Sequence, residues 1–171
     1  MFVLDYQTPE KAVGEVADTY DIFKRKRSPV PAPLQLMSAS PGLFKVFFAQ
    51  LSYFMYHEAL SFPLLAAIRL LAAQQLRFDH CVNLNKTWLS KTGLSDQELA
   101  DLAAGRQAAA FDEAENALLA TVAKVLRKEK ISEDEIQHLR TFGWKDGDIL
   151  DACVQGTRML EMNCLFEAFS K

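Results

Sequence analysis

The segment RFDHCVNLN, residues 77–85, holds the residues of this sequence that are best suited to chemistry. Cys81 supplies a thiol, which is a nucleophile once it loses its proton, and His80 is an adjacent proton acceptor. If Asp79 caps a helix here, Cys81 lies in the first turn, where unpaired backbone N–H groups stabilise a thiolate. Asn85 follows one turn later, and an amide takes up no proton at neutral pH. The segment therefore predicts a thiol at a helix start without an evident general base.

Cys81 has a second interpretation as an inert core residue, which is the commoner role of a lone cysteine. The other cysteines are Cys153 and Cys164, and an odd total at these spacings fits neither a disulfide framework nor a zinc site. We therefore expect three free thiols, with no metal and no cofactor. His57 lies in an aromatic stretch and is expected to be packed or at an interface, whereas His138 in the polar run EDEIQHLR is expected to be exposed.

Helices must position these side chains, because apolar residues recur at helical spacing and no segment alternates like a strand. The sequence therefore predicts an all-α protein, whose last helix begins around Asp146 and reaches Phe169. The three prolines of SPVPAPL, residues 28–34, predict an extended connection. The other helix starts, each predicted from a capping residue or a first-turn proline, are Thr8, Ser40, Ser61, Asp79, Ser95, Asp112 and Ser132.

Two stretches of the chain resemble each other at a constant offset of 50 residues: KTGLSDQELADL at 91–102 and TFGWKDGDILDA at 141–152. The same offset relates Leu76 and Arg77 to Leu126 and Arg127. These matches predict a two-fold internal repeat, in which a helix, a short helix, a glycine stop and a further helix are used twice.

The composition bounds the class of protein. With 171 residues, 50% of them hydrophobic and 24% charged, the sequence is sized for one domain with its own core. A net charge of -3 gives no electrostatic reason to expect nucleic acid. The basic run KRKR, residues 24–27, is expected to be a solvated helix end rather than a polyanion site.

The sequence shows no targeting or membrane segment. Its N-terminus has no basic region followed by an apolar one, as a secretory signal would. The most apolar stretch, residues 61–76, is interrupted by Arg69 and is shorter than the roughly 20 residues that span a bilayer. We therefore expect a cytoplasmic protein that does not bind membranes.

The order of these pieces resembles the carboxymuconolactone decarboxylase-like superfamily, and within it the peroxidase-related proteins similar to alkylhydroperoxidase D (AhpD). The resemblance covers almost the entire chain. It is most specific near the C-terminus, where AENALL, ISEDEIQHLR, GWKDGDIL and Asn163 occur in the order these proteins use. Cys164 stands where such proteins usually place arginine. The resemblance implies a single AhpD-like helical domain over residues 1–171 and a homo-oligomer, a trimer or a hexamer.

Active members of this superfamily carry a C-x-x-C-x-x-x-H motif at a helix start and a glutamate upstream. In them the second cysteine, activated through the histidine and glutamate, reacts with peroxide and then forms a disulfide with the first. Here the first cysteine becomes Phe78, the second is Cys81, the histidine becomes Asn85 and the glutamate position falls at Ala66. Only Cys81 remains of the four, so His80, which matches a histidine often found before the second cysteine, is the remaining candidate for a proton relay.

Three functions stay open, and the sequence does not decide whether the protein is an enzyme. The first is a one-cysteine thiol peroxidase or redox sensor, a peroxiredoxin-type oxidoreductase that uses Cys81 and an external thiol reductant. The second is an inactive helical oligomer that binds a small apolar ligand or a protein partner, since Phe78 and Ala66 make the inherited pocket more apolar. The third is a lyase for a carboxylated lactone, which needs a cation such as Arg69 or Arg77.

Overall fold

The computed structural model describes residues 2–171 and consists of helices and the turns between them. Apart from one isolated antiparallel bridge between Phe2 and Ser170, these residues form no strand, which confirms the all-α prediction. The described residues contain nine helices: α1 (Gly14–Arg25), α2 (Ala32–Met37), α3 (Pro41–Met55), α4 (Phe62–Gln75), α5 (Asp79–Lys91), α6 (Asp96–Ala103), α7 (Glu113–Leu126), α8 (Glu133–Thr141) and α9 (Asp146–Phe169).

The described chain divides into two compact units. The terminal unit comprises residues 2–56 and 164–171, and in it α2 packs on α3. There the buried ring of Tyr20 lies edge-on to the Phe44 ring, with 6.0 Å between centroids. The central unit, residues 57–163, holds α4 to α8 and most of α9. The single domain expected over residues 1–171 stays a prediction.

Helix α4 forms the core of the central unit. Nine of its 14 residues are buried, and it packs against α5, α6 and α7. Its sequence is apolar on almost every side, which is the pattern of a helix that neighbours surround. The predicted start is confirmed, because the Ser61 hydroxyl caps the helix by accepting a hydrogen bond from Leu64 N at 3.3 Å.

A short connection folds α5 back antiparallel to α4. At the end of α4 the chain turns through Arg77, which has a φ of +55°, and Phe78 N–H donates to the Ala73 carbonyl at 2.8 Å. This bonding pattern closes a helix C-terminus and reverses the chain within a few residues. We call α4 with α5 the first hairpin, and α7 with α8 the second hairpin.

The predicted cap of α5 is wrong. Asp79 is the first residue of the helix, Phe78 occupies the capping position, and no side chain caps this helix. The chain reversal at Arg77 explains the difference. There Phe78 N–H donates to the Ala73 carbonyl, and the helix starts one residue earlier than predicted. Cys81 is the third residue of α5 and so still lies in the first turn, as predicted.

Two further predictions in the terminal unit need correction. Thr8 begins only an isolated turn, closed by a hydrogen bond from Lys11 N to Thr8 O at 3.0 Å, and α1 starts at Gly14, whose φ of +58° separates the helix from that turn. The proline-rich segment is extended only as far as Pro31 and then forms α2. Pro33 is tolerated in its first turn because the missing N–H would have no helical partner there.

The remaining helix starts are confirmed. Complete capping boxes, each with reciprocal bonds between side chain and backbone, begin α6, α7 and α8 at Ser95, Asp112 and Ser132. Helix α9 has the predicted bounds. The two-fold internal repeat stays a prediction.

Candidate functional site

Cys81 is a buried thiol in the first hairpin. Only 6% of its surface is exposed, and burial raises the pKa of the Cys81 thiol to about 11. The positive charge of Arg69 on α4 opposes this shift in the pKa without cancelling it. Because the thiolate is the reactive form of cysteine, this raised pKa disfavours reaction of Cys81 at neutral pH.

Arg69, Asn85 and Cys81 are joined by a chain of hydrogen bonds that links α4 to α5. Arg69 Nε donates to Asn85 Oδ1 at 3.0 Å, and Asn85 Nδ2 donates to the Cys81 carbonyl at 2.8 Å. A guanidinium can only donate, so the oxygen of the amide must face Arg69, which fixes the orientation of Asn85. Asn85 is 1% exposed, and both ends of its buried amide are satisfied.

Two neighbouring aromatic rings lie on one side of the Arg69 guanidinium. Its Cζ lies 5.9 Å from the centroid of the Phe62 ring and 5.5 Å from that of Trp88, and the two rings are 5.7 Å apart. Phe62 is the first residue of α4 and Trp88 lies late in α5, so the antiparallel hairpin brings them together. Cation–π attraction to both rings adds to the Asn85 hydrogen bond in holding the guanidinium in place.

Within residues 2–171 the Arg69 cation has no carboxylate counter-ion. Burial lowers the pKa of Arg69 to about 10, which leaves it protonated at neutral pH. None of the ion pairs within residues 2–171 involves Arg69. Its terminal nitrogens, Nη1 and Nη2, have no hydrogen-bond partner in that range, and neither is fully buried. The guanidinium is thus held through Nε and by two rings on one side, while Nη1 and Nη2 are not fully enclosed.

The structure places the other predicted site residues at different depths. Ala66 is fully buried, one helical turn before Arg69, and Phe78 is buried at the start of α5. His80 is exposed, and its ring centroid lies 6.3 Å from that of Phe78, whereas the next residue, Cys81, is buried. Consecutive residues of a helix do not share a face, so His80 and the thiol point in different directions.

The sequence alone did not reveal the central position of Arg69. It drew attention to this residue only as an interruption of an apolar stretch and as one of two cations for a lyase. The available signal was a single charged residue inside a helix that is otherwise apolar on nearly all sides. Arg77, the other cation considered, is exposed at the reversal of the chain.

His57 is packed, as predicted, and its hydrogen bonds join two segments of the central unit. Its Nδ1 accepts hydrogen bonds from Leu60 N at 3.0 Å and Ala59 N at 3.2 Å, so Nε2 carries the proton. Nε2 lies 3.1 Å from Asp151 Oδ2 and donates to that carboxylate. These bonds attach the segment before α4 to α9.

Residues 2–171 also hold a small cavity and three free thiols. A cavity of about 30 Å³, lined in part by Leu71, Leu102 and Leu119, has room for little more than a water molecule. Within residues 2–171 no cluster of three or more His, Cys, Asp or Glu side chains could hold a metal ion. No helix in this range is long and apolar enough to cross a membrane. All three cysteines are free thiols, with Cys153 half-buried and Cys164 exposed.

Comparison with known proteins identifies the fold. No protein-family profile matches the sequence, and no curated protein matches it. An uncharacterized peroxidase-related protein from Ralstonia eutropha JMP134, with an alkylhydroperoxidase AhpD core, superposes with a TM-score of 0.80 and 15% identity. That match covers 98% of this chain and 90% of the other.

Two further solved structures are similar. An uncharacterized peroxidase-related protein from Silicibacter sp. TM1040 has a TM-score of 0.74 and 20% identity, over 90% of this chain and 82% of its own. A protein of unknown function from Agrobacterium tumefaciens, provisionally named an antioxidant defence protein AhpD, has a TM-score of 0.63 and 25% identity, over 78% of this chain and 92% of its own. The chain therefore has the helical fold of the AhpD-like superfamily, which confirms the resemblance found in the sequence.

Proposed function

We propose that this AhpD-like protein has lost the two-cysteine peroxide chemistry and binds a small molecule with an apolar body at the first hairpin. One observation carries the proposal: the positions of the proton relay hold groups that exchange no protons. Asn85 is an amide committed to Arg69 and to the Cys81 carbonyl, and Ala66 has no polar group. With Phe78 in place of the first cysteine, an oxidised Cys81 would also have no local thiol to resolve it.

The surface around Arg69 supports a binding role. Phe62 is 53% exposed although it is a large aromatic residue, and the Trp88 ring beside it is partly exposed. Apolar rings next to a few fixed polar groups are the usual composition of a small-molecule site. A ligand that covered these rings would remove apolar surface from water, at roughly 25 cal/mol per Å².

Native mass spectrometry of the purified protein tests this proposal. We expect a small molecule that stays with the folded chain and is released on denaturation, and we expect Phe62→Ala to lose it. Leu150→Ala is the matched control, because Leu150 is an exposed apolar residue on α9. The proposal fails if the folded protein carries no ligand and takes up no apolar probe, or if both variants behave alike.

A one-cysteine redox role is the second candidate, favoured by the Arg69 charge that opposes the rise in the pKa of Cys81. The Cys81 thiol would lose its proton, and the thiolate would attack a peroxide oxygen, breaking the O–O bond to give a sulfenic acid and an alkoxide, which takes up that proton to leave as an alcohol. An external thiol would then condense with the sulfenic acid, releasing water, and a second thiol would reduce the mixed disulfide. Peroxide should then give sulfenic acid at Cys81 well before Cys153 or Cys164, and equal reactivity would exclude this role.

A lyase acting on a carboxylated lactone is the third candidate. The cation it requires would be Arg69, since Arg77 is exposed at the chain reversal. Asn85 stands where this chemistry also needs a histidine, so the site supplies charge without a proton donor. This makes binding a better account of the site than turnover.

We also propose that the protein forms a homo-oligomer, a trimer or a hexamer, as the resemblance implies. Exposed apolar side chains on α3 and its C-terminal end support an interface: Leu43, Val46, Tyr53, Met55 and Tyr56. Size-exclusion chromatography with light scattering tests this. A particle of about 19.2 kDa, the mass of one chain, would exclude it.

A further inference from the structure

We propose that the molecule bound at the first hairpin carries a carboxylate, which pairs with the terminal nitrogens of Arg69 while a flat apolar body lies against Phe62 and Trp88. This inference rests on the proposed function, because it names the chemical class of the ligand for the same site.

The first step of the argument concerns charge. A cation that is partly withdrawn from water is costly unless an anion compensates it. Each of three arginines that are more exposed than Arg69 has a carboxylate partner within the chain: Arg106, Arg127 and Arg140. Arg69 has none in residues 2–171, although it is the arginine inserted into the most buried helix. An external anion would supply the missing counter-charge.

The second step concerns geometry. Asn85 occupies only the Nε–H of Arg69, so the N–H groups on Nη1 and Nη2 have no partner in residues 2–171 and are not fully enclosed. Two of these N–H groups on adjacent nitrogens match the two oxygens of a carboxylate, which favours a bidentate pair. The hydrogen bond from Nε and the two adjacent rings already hold the guanidinium, so little side-chain entropy is lost when the anion arrives.

The third step concerns the body of the ligand. Arg69 lies beside two aromatic rings whose centroids are 5.7 Å apart and which are tilted by 59° to each other. Phe62 presents much of its surface to solvent. A flat apolar group attached to the carboxylate could pack on this ring, whereas a fully hydrated inorganic anion would leave it uncovered. The site therefore fits an aromatic or similarly planar carboxylate.

Calorimetric titration with benzoate and benzamide tests the inference, because the two probes have nearly the same size and shape and differ in charge. We expect benzoate to bind the wild-type protein at least about tenfold more tightly than benzamide, as a charge-assisted hydrogen-bonded pair implies. Arg69→Met should abolish this preference. Arg69→Lys should retain only part of it, because an ammonium group lacks the paired N–H donors of a guanidinium. Arg77→Met, which removes an exposed arginine of the same hairpin, should leave the preference unchanged.

Asn85→Asp is a second test. It places one carboxylate oxygen where Asn85 Oδ1 contacts Arg69, so the cation gains an internal counter-ion, while the second oxygen replaces the donor that faced the Cys81 carbonyl. We expect a lower melting temperature that still marks a folded protein, and no preference for benzoate. If the wild type binds both probes equally, and Arg69→Met changes neither affinity, the carboxylate inference is overturned while the binding proposal stands. If neither probe binds and the native protein carries no ligand, the proposed function fails as well.

Discussion

Two hairpins of the central unit reverse the chain in the same manner, each through a cationic residue in the left-handed conformation. Arg77 has a φ of +55° in the first hairpin, and Lys128 has a φ of +62° in the second. Beyond this turn they differ. In the second hairpin Lys124 pairs with Glu135, and Glu135 also completes the capping box of Ser132 at the start of α8.

The first hairpin lacks the equivalent helix cap and the equivalent ion pair. Helix α5 begins without a side-chain cap, and Arg69 has no carboxylate partner in residues 2–171. Native structures satisfy most of their buried polar groups internally, so exceptions mark strain or function. We interpret the second hairpin as a structural support, and the unpaired Arg69 of the first is the contact that our binding proposal uses.

The largest effect on stability should come from the amide that joins the two helices of the first hairpin. Asn85→Ala would leave Arg69 Nε without its partner and remove the side-chain bond to the Cys81 carbonyl, and we expect it to lower the free energy of unfolding by about 2–3 kcal/mol. Urea denaturation measures this loss. Asn83→Ala is the control, since Asn83 is exposed on the same helix. A loss below about 0.5 kcal/mol would show that the amide contributes little.

The next effect should come from Gly156 on α9, where this helix contacts both hairpins. A Cβ at this position would lie 2.8 Å from Val122 Cγ1 in α7 and 3.6 Å from Ile68 Cγ2 in α4. We expect Gly156→Ala to destabilise the protein by about 1–2 kcal/mol, since overpacking outweighs the better helix propensity of alanine. In the thermal transition, Gly147→Ala should be neutral or stabilising, because no atom lies within 4 Å of its new Cβ. Equal effects of the two variants would contradict this packing.

A smaller effect on stability should distinguish the start of α8 from the start of α5. Ser132→Ala removes the cap of α8 and should cost about 1 kcal/mol. In the first hairpin Asp79→Ala removes no cap, so we expect a change within about 0.5 kcal/mol. Chemical denaturation of both variants compares them directly. An equal loss would mean that Asp79 caps α5 after all.

The smallest effect should be a loss of stability at acidic pH that arises in the second hairpin. Hydrogen bonds from Lys124, and then from Ser132, lower the pKa of Glu135 from 4.5 to about 2. A carboxylate with a depressed pKa stabilises the fold above its ordinary pKa, so this contribution should be lost as the pH falls from 4.5 towards 2. Glu135→Gln should flatten that part of the pH profile of the melting temperature. An unchanged profile would exclude this carboxylate as its source.

Local signals in the sequence predicted much of the fold and less of the site. Capping residues such as Ser95 and Ser132 identify helix starts because the cap depends on residues within one turn. The start of α5 was misplaced because it depends on a bond back to the preceding helix. The environment of Arg69 depends on Phe62 and Trp88, 26 residues apart in the chain, and on Asn85 from a second helix, which no local pattern encodes.

The central claim is that the first hairpin binds a ligand and does not prepare a thiolate, and the pH dependence of Cys81 alkylation tests it most directly. Iodoacetamide labelling of the native protein, read by peptide mass spectrometry, would follow Cys81 together with exposed Cys164 in the same sample. A midpoint near pH 11 for Cys81, with labelling at neutral pH about a hundredfold slower than for a thiol with the reference pKa, is the result we predict. A midpoint below about 8.5 would contradict it, because Cys81 would then be a ready nucleophile and the redox role would take precedence.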